Sequence, residues 1–437
     1  MGLLLSIAII PLLAPVFWHR NYGKISGAWS LSFIVPFLYH YGVTETIYQI
    51  LHILLLDYIP FIILLLTLFI ISGGIRLKGY LAGTPLVNTL LIMIGTILSS
   101  WMGTTGSAML LIRPILRANK PRRYKVHIII FFIFLVANIG GSLTPLGDPP
   151  LFLGYLNGIS FFWTTKFLFY PMLFASILLL IVFYLIDSYY YQKEENQFEF
   201  SLSNDDPLRF DGKINFILLL CIIFSILLSG LWKSSYYITI MNVHLHFHNI
   251  IRDIVLLTLA YISWKFTNPI IRNQNGFTWV PIQEVSKLFA GIFITIIPAI
   301  AILNAGENGV FKGILTVLQD QNGNNLNSSY FWLTGILSAF LDNAPTYLVF
   351  FNLAGISTLG GMEVAKYLMY EIPETLLAIS LGAVFMGAMT YIGNAPNFMI
   401  KSIAEENKVR MPSFFGYLLL SSVILIPVFI LVNLIFI

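Results

Sequence analysis

Two carboxylates stand inside apolar sequence, where ionised groups are rare. Asp342 follows the apolar run Trp332 to Leu341 and precedes another from Tyr347 to Leu353, within Asp342-Asn343-Ala344-Pro345. Asp148 lies near the end of Asn138-Ile139-Gly140-Gly141-Ser142-Leu143-Thr144-Pro145-Leu146-Gly147-Asp148-Pro149-Pro150. An ionisable side chain at membrane depth costs at least about 2.5 kcal/mol and marks ion paths and proton relays. Burial favours the neutral acid and a bound cation favours the anion, so one carboxyl can exchange a proton for a sodium ion. The plainer reading of each is a helix cap, Asp148 before Pro149 and Asp342 before the segment that follows it. Neutral oxygens, the ligands a hard cation prefers, gather in the same stretches. They are Thr104, Thr105 and Ser107 in Gly103-Thr104-Thr105-Gly106-Ser107, then Asn138, Ser142 and Thr144, then Asn343, and finally Thr390 and Asn394 in Gly387-Ala388-Met389-Thr390-Tyr391-Ile392-Gly393-Asn394-Ala395-Pro396-Asn397.

The elements that carry these residues follow from composition. Of 437 residues 57% are hydrophobic and 10% charged, with a net charge of +4, and the mean hydropathy is +0.83. Ordinary soluble domains carry roughly 25% charge, so this chain is read as a protein of the lipid bilayer. Long apolar runs without period-two alternation predict helices, since only helices or closed barrels satisfy their backbone in hydrocarbon. The fold class is all-α and polytopic. Spans are expected near 2–18, 27–41, 57–73, 126–158, 168–187, 213–231, 250–264, 284–304, 375–405 and 411–436. The stretch from Gly2 lacks a signal peptide's basic start and cleavage site and is read as a retained helix. Stretches 84–118 and 330–355 are interrupted at Gly103–Ser107 and at Asp342–Pro345, and each reads as a re-entrant hairpin whose tip lines a polar cavity.

Laying Asp148 over Asn394 requires an offset of 246 residues, and laying Thr104 over Asn343 requires 239. Both paired features therefore recur in one order. The chain divides into a first repeat, 1–190 (hairpin 84–118, broken helix 126–158), a linker, 191–211, and a second repeat, 212–437 (hairpin 330–355, broken helix 375–405). Matching interruptions in two halves point to a transporter's midplane site. Broken helices offer N–H donors at one half-end and carbonyls at the other. Alternating topology puts nineteen of the Lys and Arg residues inside and five (Lys166, Lys233, Arg252, Lys312 and Lys366) outside, as cytoplasmic loops require. The second hairpin then enters from the side opposite the first, as inverted repeats would have it.

Other residues carry less. The acidic residues of the linker region Ser188–Phe210 read as solvated, and Cys221, the one cysteine, as a buried thiol. His244, His246 and His248 alternate and could share a metal-binding face, although a solvated loop is the simpler account. Arg113 either reaches toward an anionic substrate or snorkels to the interface, and Glu307 reads as interfacial. There is no nucleotide-binding loop, nucleophile elbow or zinc-protease motif. Neither ATP hydrolysis nor any other enzyme chemistry is expected, no cofactor is implied, and the basic residues form no nucleic-acid-binding face.

The pairing of Gly103-Thr104-Thr105-Gly106-Ser107 with Asn138…Asp148-Pro149-Pro150, and of Asp342-Asn343-Ala344-Pro345 with Gly393-Asn394-Ala395-Pro396-Asn397, resembles the ion transporter superfamily. That group holds the citrate and dicarboxylate carriers, the arsenite pumps and the NhaD-type sodium/proton antiporters. In the dicarboxylate carriers each tip bears Ser-Asn-Thr, which holds sodium and a substrate carboxylate. The corresponding places here are Gly103-Thr104-Thr105 and Asp342-Asn343-Ala344, of which Thr105 and Asn343 keep the family residue type. The resemblance makes Thr105, Asp342 and Asn343 the sodium candidates. The acidic second tip is similar to the sodium/proton antiporter branch, with sodium-coupled uptake of citrate or another small carboxylate as the alternative. The resemblance further implies a scaffold and a moving transport domain, a homodimer and a cell (inner) membrane.

Overall fold

The computed structural model describes residues 2–194, 207–232, 234–304, 317–320, 323–355 and 363–437. Glu307, Lys233, Lys312 and most of the acidic linker lie outside them. The described chain is overwhelmingly helical. Seven of its helices are long and apolar enough to cross a bilayer, or eight if one pair bent by 101° counts as a single span. The expected spans 27–41 and 57–73 run together in one helical stretch, Val16–Gly73, which counts once. The protein is a multi-pass integral membrane protein.

The N-terminal half begins with α1 (Gly2–Leu13) and α2 (Pro15–Ile53). Breaks expected after residue 18 and residue 41 occur at Ala14, ahead of Pro15, and at Gly42, whose φ of 79° leaves the helical region. Past Gly42 the helix runs through a π turn (Leu54–Tyr58) into α3 (Ile59–Gly73). Then follow α4 (Pro85–Met102), α5 (Thr104–Ala118), α6 (Val126–Leu135), a 3-10 turn (Ile139–Leu143), α7 (Pro149–Leu156) and α8 (Phe161–Gln192).

The C-terminal half holds α9 (Ile214–Leu231), α10 (Phe247–Phe266), α11 (Pro269–Gln274) and α12 (Val280–Asn304). They are followed by α13 (Asn327–Leu341), α14 (Asn343–Ala354), α15 (Val364–Tyr370), α16 (Pro373–Met386), a 3-10 turn (Gly387–Met389), α17 (Ala395–Glu406) and α18 (Phe414–Phe436). The succession of helix pair and interrupted helix thus occurs in both halves.

Burial sorts these helices. Every residue of α16 from Thr375 to Met386 and of α6 from Ile128 to Leu135 is buried. Outer helices such as α9 and α18 expose Phe224, Leu231, Val423 and Leu434, apolar surface that hydrocarbon covers at no cost. Cys221 is exposed on α9. An apolar run in a membrane protein faces lipid as readily as protein, so the expectation of a buried thiol fails.

Two corrections concern strands. β1 (Arg76–Lys78) pairs antiparallel with β2 (Arg209–Asp211), and β3 (Tyr237–Ile240) with β4 (Val243–His246). Three- and four-residue strands are too short to show a period. One acidic residue of the linker is buried rather than solvated, while Gln192, Lys193 and 207–210 are exposed. Glu194 is 2% exposed, lies 3.4 Å from Arg122 Nε and accepts from the Tyr124 N–H. Arg122 Nη1 meets Asp187 at 2.6 Å, and His127 Nε2 contacts the same carboxylate at 2.8 Å. Asn88 donates to Asp187 and exchanges hydrogen bonds with Asn119. This buried polar knot joins α4, α5, α6 and α8.

Candidate functional site

Each helix pair turns on a single residue with positive φ. Gly103 (φ 80°, ψ 149°) separates α4 from α5, and Asp342 (φ 77°, ψ 138°) separates α13 from α14. These dihedrals suit glycine, and a side chain there stores about 1–3 kcal/mol of strain. Asp342 offsets part of that strain by accepting the Ala344 N–H at 3.2 Å. The interruptions expected over four or five residues are thus one residue each, with the following residues already helical.

The interrupted helices are held against these turns in matching ways. After each 3-10 turn the chain extends at Thr144 (φ −138°, ψ 160°) and at Thr390 (φ −135°, ψ 166°). The Thr144 hydroxyl donates to the Ser100 carbonyl and the Thr390 hydroxyl to the Ala339 carbonyl, three residues before Gly103 and Asp342 respectively. A Cβ on Gly147 would overlap the Gly141 carbonyl, and one on Gly393 would come within 2.6 Å of the Gly387 oxygen. Only glycine permits that approach at both places. Asp148 and Asn394 then begin α7 and α17, each ahead of a proline and each without capping its helix by its side chain.

Freed from capping, the Asp148 carboxyl becomes the centre of the site. Its Oδ2 accepts from Asn343 Nδ2 at 2.6 Å, and its Oδ1 accepts from Asn394 Nδ2 at 2.9 Å and from the Thr104 hydroxyl at 3.3 Å. Both turns and both interrupted helices therefore converge on one carboxyl, and the Thr104 N–H closes the set on the Gly147 carbonyl at 2.9 Å. Asp148 is 1% exposed, Asn343 is fully buried, and no cationic side chain pairs with Asp148 among the described residues. The Asn343 Oδ1, beside this carboxyl, has no hydrogen-bond partner among the described residues. A buried acceptor left unpaired next to a carboxyl without a counter-cation leaves lone pairs for a small cation or a proton.

Asn138 belongs to the same cluster: it accepts from Asn394 Nδ2 at 3.2 Å and donates to Asn397 Oδ1 at 2.8 Å. Sequence reasoning passed over Asn397, whose amide donates to the Gly387 and Thr390 carbonyls, both at 2.8 Å. It occupies two carbonyls that a broken helix would otherwise offer to an ion. Its position three residues after Asn394 in one polar motif was the available signal. Ser99 and Ser100 likewise occupy the Val136 and Gly140 carbonyls.

Other expected residues lie farther out. Ser107 donates to Gly95 at 3.2 Å and Ser142 to Ile139 at 2.8 Å, so neither reaches Asp148. Thr105 lines a cavity of about 80 Å³ with Thr104 and Asp148. Asp342 faces a larger cavity of about 370 Å³, lined also by Asn394, His19, Arg113, Glu284 and Glu406. Arg113 is half-buried there, and its Nη1 has no hydrogen-bond partner among the described residues. His244 contacts Thr239 at 3.0 Å and His246 stacks on His248. Among the described residues no three His, Cys, Asp or Glu side chains converge as a metal site.

Helices interrupted in pairs around a buried polar centre define a membrane transport protein in outline. The family described as "putative citrate transport" matches residues 1–437, and the chain belongs to that family, in keeping with the citrate-carrier-like group its motifs resemble. No curated protein matches the chain.

Proposed function

We propose that this protein is a secondary active transporter exchanging sodium ions for protons, with Asp148 as the carboxyl that both ions use. The observation that carries this reading is the Asp148 set: a buried carboxyl held by Asn343, Asn394 and Thr104, with no counter-cation among the described residues, beside an Asn343 Oδ1 that has no partner among them. Sodium would take the anionic carboxylate, the Asn343 carbonyl oxygen and the Thr104 lone pairs, and a proton would replace it by neutralising Asp148. Thr105 and Asp342 stand on the approaches. The adjoining cavity carries Asp342, Glu284 and Glu406 against Arg113 and His19, a balance that favours entry of cations.

The two helix pairs serve as re-entrant hairpins of two inverted-topology repeats, entering from opposite faces of an inner cell membrane, with the protein working as a homodimer. The matched turns at Gly103 and Asp342 and the matched threonine ties support the repeat. Coupling would follow from moving one site between the two faces, with ion gradients as the energy source.

A second reading, sodium-coupled uptake of citrate, is favoured by one specific feature. Arg113 presents an unpartnered Nη1 to the larger cavity, and a guanidinium is suited to holding a carboxylate. Proteoliposomes separate the readings. Exchange predicts that an inward sodium gradient drives protons out without citrate. Symport predicts sodium-dependent uptake of labelled citrate and no sodium-driven proton movement in its absence.

A further inference from the structure

Between α2 and α12 runs an open groove of about 760 Å³ that the transport site does not use. The two helices run side by side in the same direction. The Lys287 side chain lies over Gly23, its carbonyl accepts from Ser26 at 2.9 Å, and Gly291 leaves room for Ser26 one turn further along. Arg20, Lys24 and Lys287 therefore gather at one end of the groove. Lys287 Nζ rests 5.5 Å from the Tyr22 ring centroid, and none of the three cations pairs with a carboxylate among the described residues. No Asp or Glu among the described residues lines the groove.

Away from the cations the lining changes. Gly27 and Leu31 on α2 and Ile294 on α12 continue the groove, and at 1.5 Å per residue Leu31 and Ile294 lie about 10 Å deeper than Lys24 and Lys287. A Cβ at Gly27 would meet nothing within 4 Å, so the floor there is open. Leu31 is 59% exposed. The groove thus has a cationic mouth and an apolar channel leading from it, along helices that face lipid.

We infer that this groove binds one anionic phospholipid, its phosphate held by Arg20, Lys24 and Lys287 and one acyl chain lying past Gly27 and Leu31 toward Ile294. A soluble phosphate would satisfy the mouth and leave the channel empty. A second copy of this chain would bring the same three cations against themselves if it met this face symmetrically. The charge balance and the length of the apolar channel together favour the lipid.

Native mass spectrometry of the full chain in detergent tests this, with phosphatidylglycerol, phosphatidylcholine and soluble glycerol phosphate as probes. Each cation near a lipid phosphate contributes enough that Lys24→Gln with Lys287→Gln is expected to weaken phosphatidylglycerol retention about 25-fold. Phosphatidylcholine binding should be weaker from the start and unchanged by the substitutions. Gly27→Trp, which fills the channel and leaves the mouth intact, is expected to reduce retention as well, so the proposal remains testable if the double variant does not fold. Equal retention of the two lipids, displacement by glycerol phosphate alone, or undiminished binding in Gly27→Trp would overturn it. So would disulfide formation between two copies through Leu31→Cys, with phosphatidylglycerol giving no protection.

Discussion

Replacing Asp148 by asparagine separates charge from shape at the centre of the site. The carboxyl receives three donors, from Asn343 at 2.6 Å, Asn394 at 2.9 Å and Thr104 at 3.3 Å. An asparagine keeps one acceptor oxygen and turns the other into an NH₂ group. Whichever way that amide is oriented, its hydrogens meet at least one amide donor, Asn343 on one side or Asn394 on the other. A buried donor left without an acceptor costs about 1–3 kcal/mol, so Asp148→Asn should fold with a modestly lowered melting temperature. The functional effect should be far larger, because the one charge at the convergence point is gone and the neutral state is fixed. In vesicles carrying a pH-sensitive dye, the wild type should answer added sodium with proton movement. Its apparent sodium requirement should rise as pH falls, by up to about tenfold per pH unit where protons and sodium compete one for one. Asp148→Asn should show neither. A folded variant that retains exchange with the wild-type pH profile would refute the assignment of both ions to this carboxyl.

Four further outcomes follow from the same geometry. Asn343→Ala removes both a 2.6 Å hydrogen bond to a carboxyl and the unpaired oxygen beside it; at about 1.5–3 kcal/mol it should raise the sodium requirement about 10- to 150-fold, with Thr105→Ala giving a smaller rise, and unchanged sodium dependence in both would exclude the turns from the ion site. Asp342→Gly matches the residue to its dihedrals and should stabilise the fold by about 1 kcal/mol, whereas Asp342→Asn should leave stability nearly unchanged; a lower melting temperature for the glycine variant would show that the carboxyl, not the backbone, decides this turn. Arg122→Gln leaves Asp187 and Glu194 without their guanidinium, though with His127, Asn88 and the Tyr124 N–H still in place, and should cost about 3 kcal/mol, read as lost yield of folded protein in detergent, while retained wild-type stability would mean the knot is not a structural tie. In a Cys221→Ala background, single cysteines at Arg123 and Lys193 should label from the cytoplasm and one at Asn324 from the exterior, and labelling of Arg123 and Asn324 from the same side would reject the inverted arrangement.

The sequence conveyed where helices fail better than which side chains meet. Gly103, Asp342 and the two Gly-rich segments declare themselves because glycine, proline and small polar residues are unusual inside apolar runs, and the helices end within a few residues of the positions read from them. The failures share one cause, which is that hydropathy reports exposure to water and not the partner. Hydropathy places Cys221 in the interior although lipid is equally apolar, and Glu194 in solvent although Arg122 meets it across 72 residues of chain. Two-stranded pairs of three or four residues fall below any periodic signal.

The division of labour between the two carboxyls is the clearest case of information that spacing cannot hold. By position Asp342 is the bolder candidate, an acid at a hairpin tip, and Asp148 before a proline looks like an N-cap. In three dimensions these properties are exchanged: Asp342 accepts a backbone N–H of its own helix, while Asp148 leaves its helix uncapped and collects donors from three other elements. The proposed repeat offers a reason. By sequence offset Asp148 is matched to Asn394 and Gly103 to Asp342, so each matched pair carries one acid, but the side chains at the start of α7 and α17 meet each other, whereas Asp342 accepts an N–H of its own helix. A pair of near-equivalent sites thereby becomes one carboxyl facing one amide, Asp148 against Asn394 at 2.9 Å. Were both positions acidic, the two would repel and share a proton; were both amides, no charge would remain to hold a cation. One acid and one amide leave one charge between these matched positions, which is what the proposed exchange of a proton for a sodium ion at this site requires.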